Sequence, residues 1–184
     1  MHESTAAMAI GAGVHAVILV EGTSDQNAVE ALASRRGRDL DAEAIAVVSI
    51  GGARSIARYL AHFGPCGADV GLAGLYDAGE EHEFRHGLEK AGLGSALTRG
   101  DMEAVGFYAC NADLEDELIR CLGTAVVEQI LAEHDDLRSF RIFEKLPAQR
   151  DRTGHQRLRR FMGTRSGRKI HYARTWSTRC RELA

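Results

Sequence analysis

Residues 17–25 read Val-Ile-Leu-Val-Glu-Gly-Thr-Ser-Asp. Four consecutive apolar residues mark a strand buried on both faces. The strand runs straight into Glu21 and Gly22, and a helical pattern opens around Asp25. Open α/β sheets keep their ligands at the carboxyl ends of such strands. Carboxylates at Glu21 and, about one helical turn on, at Asp25 can share a divalent cation. On the plainer reading Asp25 caps the helix and Glu21 is an ordinary loop acid.

The same unit recurs. Strands are expected over residues 15–20, 44–49, 70–76 and 104–109, alternating with helices over 24–34, 53–63, 81–91 and from about 111 to 122. Thr23-x-x-Gln26 reads as a capping box opening the first helix. Strand–helix alternation predicts a parallel sheet with helices on both faces. Right-handed crossovers then gather every strand's carboxyl end on one edge. That edge would receive Glu21, the Gly51-Gly52 pair, Asp77 and Asp113. The glycines allow either a tight turn or a close approach of bare backbone to a ligand. Asp113 and Glu115 could alternatively do no more than complement the dipole of the acidic helix they open.

Composition narrows the class. With 45% apolar and 27% charged residues, the chain reads as an ordinary soluble domain. No apolar run approaches a membrane span, and the first residues lack the pattern of a secretory signal. Cys66, Cys110, Cys121 and Cys180 form no Cys-x-x-Cys pair, so reduced thiols and a cytoplasmic location are expected. The net charge of −3 hides a division. Residues 1–137 hold nine Lys and Arg against 23 Asp and Glu, a balance of −14, whereas residues 138–184 hold 14 against three, a balance of +11. A basic block beside an acidic core is the footprint of a phosphate-backbone binder, or else a solvated tail that neutralises the rest.

These features divide the chain into a loose start (1–13), an α/β core (14–136) and a basic, helical C-terminal part packed on that core (137–184). The core closes with 124–134 as an amphipathic helix, and in the last part 137–146 is open between strand and helix. Residues 151–163 form a helix with Arg152, Arg157, Arg159 and Arg160 outside, and 165–174 a helix carrying Lys169, with Tyr172 and Trp176 inward. Arg157, Arg159, Arg160 and Arg168 are the expected phosphate contacts.

The order strand–Glu21-Gly22-x-x-Asp25, then Gly51-Gly52, then strand–Asp77 resembles a Toprim domain, shared by topoisomerases, primases, ribonuclease-maturation enzymes and nucleases of the OLD (overcoming lysogenization defect) family. Asp113-Leu114-Glu115-Asp116-Glu117-Leu118 and the late lysine in Gly167-Arg168-Lys169 resemble the OLD branch. The resemblance runs from about residue 14 to 176. It implies a Rossmann-like Toprim sheet and metal-dependent hydrolysis of nucleic-acid phosphodiesters by an endonuclease, with DNA rather than RNA as the expected partner. Nucleotidyl transfer at the same site is a related possibility. Hard carboxylate oxygens suit Mg²⁺ or Mn²⁺, and Glu21, Asp25, Asp77, Asp113 and Glu115 are the expected ligands. Two such ions would activate water and offset charge on the phosphate and leaving oxygen. By resemblance Glu21 also serves as general acid or base. Lys169 stabilises the pentacovalent phosphate or the departing group, unless it is only a solvated cation in a basic stretch.

Two departures stand out. Toprim domains usually carry Asp-x-Asp on the third strand; here Asp77-Ala78-Gly79-Glu80-Glu81 puts Gly79 at the second position, with Glu80 or Glu81 as possible substitutes, which leaves one ion or two open. OLD proteins usually carry an ATPase domain, yet this sequence holds no Gly-x-x-x-x-Gly-Lys-Ser/Thr loop. The chain is therefore expected to act alone, as a homo-oligomer or with an ATPase partner. Gly79 motivates the alternative of a catalytically weakened nucleic-acid-binding or regulatory partner of an ATPase. His82-Glu83-Phe84-Arg85-His86 matches the His-Glu-x-x-His zinc-protease pattern, but its charged neighbours argue for chance.

Overall fold

The strand–helix alternation produces a four-stranded, wholly parallel sheet of order β2-β1-β3-β4. It is seen in a computed structural model that describes residues 13–165 and 167–179. The strands are β1 (Ala16–Val20), β2 (Ile45–Ser49), β3 (Gly71–Asp77) and β4 (Phe107–Cys110). Val20 stands opposite Ser49 on one side and Leu75 on the other, and Asp77 opposite Cys110. All four carboxyl ends are thus flush at one edge.

Helices α1 (Thr23–Arg35), α2 (Ile56–Phe63, after a 3₁₀ turn), α3 (Glu81–Lys90), α4 (Arg99–Ala104) and α5 (Leu114–Leu122) connect and follow the strands. One core cluster joins Val17, Leu19 and Phe107 of the sheet to Ile56, Leu60 and Phe63 of α2 and Phe84 of α3. Gly74 on β3 is required by this packing: a β-carbon there would lie 2.6 Å from the Phe107 ring. A second cluster joins Ala28 of α1 and Leu118 of α5 to the C-terminal helices α6 (Thr124–Glu133), α7 (Leu137–Phe143), α8 (Gly154–Met162) and α9 (Arg168–Arg179). Tyr172 and Trp176 are buried in it. Helix α9 lies against α1, which brings Lys169 toward the sheet edge.

Local readings of the sequence needed correction in three places, and one open reading is settled. Strand four starts at Phe107, not near residue 104, because Arg99–Ala104 is helix α4. The missed signal is Thr98-x-x-Asp101, where the Asp101 carboxylate accepts the Thr98 N–H at 2.8 Å. Gly106, at φ +90°, then turns the chain into β4. The cap of α1 is Gly22, not the Thr23-x-x-Gln26 box: Asp25 Oδ2 accepts the Gly22 N–H at 2.8 Å, and Gln26 instead donates to Glu30. The stretch 137–146, open in sequence, is helical over Leu137–Phe143. Cys66 and Cys110 are free, but Cys121, expected as a reduced thiol, is disulfide-bonded, and Cys180 lies outside the described residues. So do residues 1–12 of the expected loose start. Among the described residues no helix is long and apolar enough to cross a membrane.

Candidate active site

Glu21 leaves the end of β1, and its Oε1 accepts the backbone N–H of Asp77 at the end of β3, 2.8 Å away. The adjacent strand ends are thus tied across the edge by one candidate ligand. The Glu21 carbonyl in turn accepts the Gly52 N–H at 3.0 Å. Gly51 and Gly52 both sit at positive φ, +74° and +107°, so this turn needs glycine. Asp25 lies in the first turn of α1, and Asp113 caps α5 by accepting the Asp116 N–H at Oδ1, 2.8 Å.

The carboxylates sense one another. Burial, then repulsion from Glu21, Asp113, Asp25 and Glu115, pushes Asp77 up to about 7. Burial, then Glu115 and Asp113 against the relief from the Gly22 N–H and Lys169, pushes Asp25 up to about 6. Glu21 is also raised, by burial first and by Glu80, Asp25 and Glu83, against its bond to the Asp77 N–H. Five acids from β1, α1, β3 and the start of α5 therefore share one field.

Two of the five are held by cations from the basic half. Asp113 Oδ2 accepts Arg159 Nε at 2.8 Å. Glu115, only 6% exposed, accepts Lys169 Nζ at 2.8 Å. Burial works against the charge on Lys169, but its bond to Glu115, together with Asp113 and Asp77, more than reverses this, and its proton affinity rises.

The donor set suits Mg²⁺ or Mn²⁺. The oxygens are hard, they crowd at one edge, and two are driven toward protonation by burial first and then by repulsion, which a divalent cation would relieve. Among the described residues, however, no three of these side chains are close enough to grip an ion as they stand. Glu21, Asp25, Asp113 and Glu115 each spend an oxygen on a backbone N–H, an arginine or a lysine. Asp77 alone has a carboxylate that accepts no hydrogen bond among the described residues.

The possible substitutes for the missing second aspartate separate. Glu81 pairs with both Arg85 and Arg99. Among the described residues Glu80 makes no such pair, and its charge reaches Glu21. Gly79 has open space where a β-carbon would project. His82 and His86 lie on the exposed face of α3, and the Glu83 between them adds to the field at Glu21.

Beside the carboxylates opens a cleft of about 840 Å³, lined by Asp113, Asp151, Arg152, Gln156, Arg159, Arg160, Gly163, Thr164 and Lys169. Of the four arginines expected at phosphates, Arg159 and Arg160 line it. Arg168 does not: it is buried, stacks 3.8 Å from the Phe161 ring centroid and pairs with Asp136. Arg157 is turned to the Gln149 and Arg150 carbonyls. Arg152, which the sequence reading had on the helix exterior but not among the phosphate contacts, takes a place on the wall.

Residues 14–72 match the family model described as overcoming lysogenization defect protein-like, TOPRIM domain. Among solved structures, the C-terminal region of the OLD protein from Xanthomonas campestris pv. campestris superposes with a TM-score of 0.66, at 22% identity, over 90% of this chain and 85% of that one. The C-terminal region of the Burkholderia pseudomallei OLD protein gives 0.65, at 17% identity, over 89% and 87%. Such identities establish the shared fold. No curated protein sequence matches the chain.

Proposed function

We propose that the chain, whose residues 14–72 match the OLD-like TOPRIM family model, belongs with that nuclease and nucleotidyl-transferase type and hydrolyses phosphodiester bonds of nucleic acid, with DNA as the expected substrate and Mg²⁺ or Mn²⁺ as the cation. The observation that supports this most is the shared field of Glu21, Asp25, Asp77, Asp113 and Glu115 at one sheet edge beside a basic cleft. Those five would hold one or two ions, which would supply an activated water and offset charge on the phosphate.

The chain's own residues do the rest. Glu21 is fixed by the Asp77 N–H, and its raised proton affinity suits it to take or return a proton. Lys169 stays cationic and, once freed from Glu115, faces the charge that develops on phosphate or leaving oxygen. Arg152, Arg159 and Arg160 contact the backbone, so binding weakens steeply with salt.

Plasmid nicking in Mg²⁺ or Mn²⁺ tests the reading. Glu21→Gln keeps an oxygen for the Asp77 N–H but removes the charge, and a loss of about 10²- to 10⁴-fold is expected. The second reading, a binding or regulatory partner of an ATPase, is favoured by Gly79 alone. It prevails if the wild type binds DNA in a salt-sensitive way yet cleaves with neither metal.

A further inference from the structure

Arg159 belongs to two settings at once. Its Nε donates to Asp113 Oδ2, while its side chain, 41% exposed, lines the cleft with Arg152, Arg160 and Lys169. Asp113 Oδ1 is committed to the Asp116 N–H as the cap of α5. Oδ2 is the oxygen outside that cap, so a divalent cation that takes Asp113 through Oδ2 meets the guanidinium there. Two positive groups on one partly buried oxygen repel strongly. The displaced guanidinium has a planar fork of donors matched to phosphate, and the cleft is where phosphate would lie.

We propose that Arg159 is an exchange residue: it neutralises Asp113 while no cation is bound, and it moves to a backbone phosphate of the substrate strand when a divalent cation takes Asp113 Oδ2. The inference rests on Asp113 being a metal ligand. Its consequence is that cation and nucleic acid bind cooperatively and reciprocally. Arg160 supplies the contrast. It lines the same cleft, and among the described residues its side chain has no hydrogen bond or ion pair to give up.

The experiment measures binding rather than turnover. A fluorescein-labelled single-stranded deoxyoligonucleotide is titrated with the full chain in Ca²⁺ or in EDTA and followed by anisotropy. Ca²⁺ binding without DNA is followed by calorimetry, and circular dichroism melts establish that each variant is folded. In the wild type, Ca²⁺ tightens oligonucleotide binding by about tenfold. Arg159→Gln loses that tightening and binds Ca²⁺ alone about tenfold more tightly, because the competing charge is gone. Arg160→Gln weakens oligonucleotide binding by one factor in both conditions and keeps the tightening.

The proposal is overturned if Ca²⁺ leaves wild-type binding unchanged, a result that needs no variant. It is equally overturned if Arg159→Gln keeps the tightening or leaves Ca²⁺ affinity unaltered. A chain that shows the coupling but nicks nothing refutes hydrolysis and leaves the exchange standing. A chain that nicks DNA without the coupling does the reverse.

Discussion

Replacing Asp77 by Asn separates a site built for a cation from a merely acidic surface. The Asp77 carboxylate accepts no hydrogen bond among the described residues, and its backbone N–H, which Glu21 holds, survives the substitution. The variant therefore removes a charge and little else. In the folded chain this carboxyl is pushed from its ordinary 3.8 to about 7, first by burial and then by Glu21, Asp113, Asp25 and Glu115. An acid that binds its proton more tightly when folded stabilises the fold at low pH, and that stability is lost as pH rises through 7. At 1.4 kcal/mol per tenfold change, the full penalty above pH 7 has a ceiling of about 4 kcal/mol. Asp77 is only half-buried, so water and salt screen it, and about 1–2 kcal/mol is the expected effect. For a chain of this size that corresponds to a rise of roughly 2–8 °C in the melting temperature of Asp77→Asn at pH 8 in EDTA. The gain shrinks toward zero as pH falls to 4. Asp25, pushed up to about 6 by burial first and then by Glu115 and Asp113, works in the same direction.

Excess Mn²⁺ reverses the order. An ion at 100 times its dissociation constant stabilises the wild type by about 2.7 kcal/mol, whereas the variant, lacking a ligand, gains much less. Thermal melts at pH 4, 6 and 8, each in EDTA and in Mn²⁺, contain the whole test. A variant less stable than wild type at pH 8 in EDTA refutes the reasoning, as does a stability difference that ignores pH.

Gly79→Asp restores the second carboxylate of the Toprim pattern at a position with open space around its β-carbon. It is expected to tighten Mn²⁺ binding by about tenfold in calorimetry, and unchanged affinity would mean that Glu80 already fills that place. Arg168→Ala removes the buried cation from Asp136, which keeps only the Tyr172 hydroxyl among the described residues, and removes the stack on Phe161, at a cost of about 2–4 kcal/mol. Urea unfolding should detect that cost, while the salt slope of DNA binding falls by about one for Arg160→Ala and not for Arg168→Ala.

The sheet and its acidic edge were legible because both follow from short-range rules. Buried parallel strands are continuous apolar runs, and topology alone delivers Glu21, Asp77 and Asp113 to one side. Helix α4 was hidden by its length of six residues and a glycine inside it. What no local pattern could show was partner choice over long separations. Asp113 and Arg159 are 46 residues apart, and Glu115 and Lys169 are 54 apart. Arg168 and Lys169 are neighbours of the same charge class, yet the helix turns one into the interior and the other to the edge.

Those pairings change what the charge division means. The acidic and basic parts of the chain are joined by ion pairs, Arg159 to Asp113, Lys169 to Glu115, Arg168 to Asp136 and Arg179 to Glu133, and by a hydrogen bond between His155 and Asp116. Much of the basic block thus docks the C-terminal helices onto the acidic core, and only part of it faces outward as a nucleic-acid footprint. The two roles meet at the sheet edge. There the cations that join the halves are bound to acids that a metal would claim, so ion binding would loosen this seam locally while freeing positive charge beside the cleft. Arg168 with Asp136 and Arg179 with Glu133 lie apart from the five candidate ligands. They tie α9 to the end of α6, so α9 can stay docked while Arg159 and Lys169 change partners.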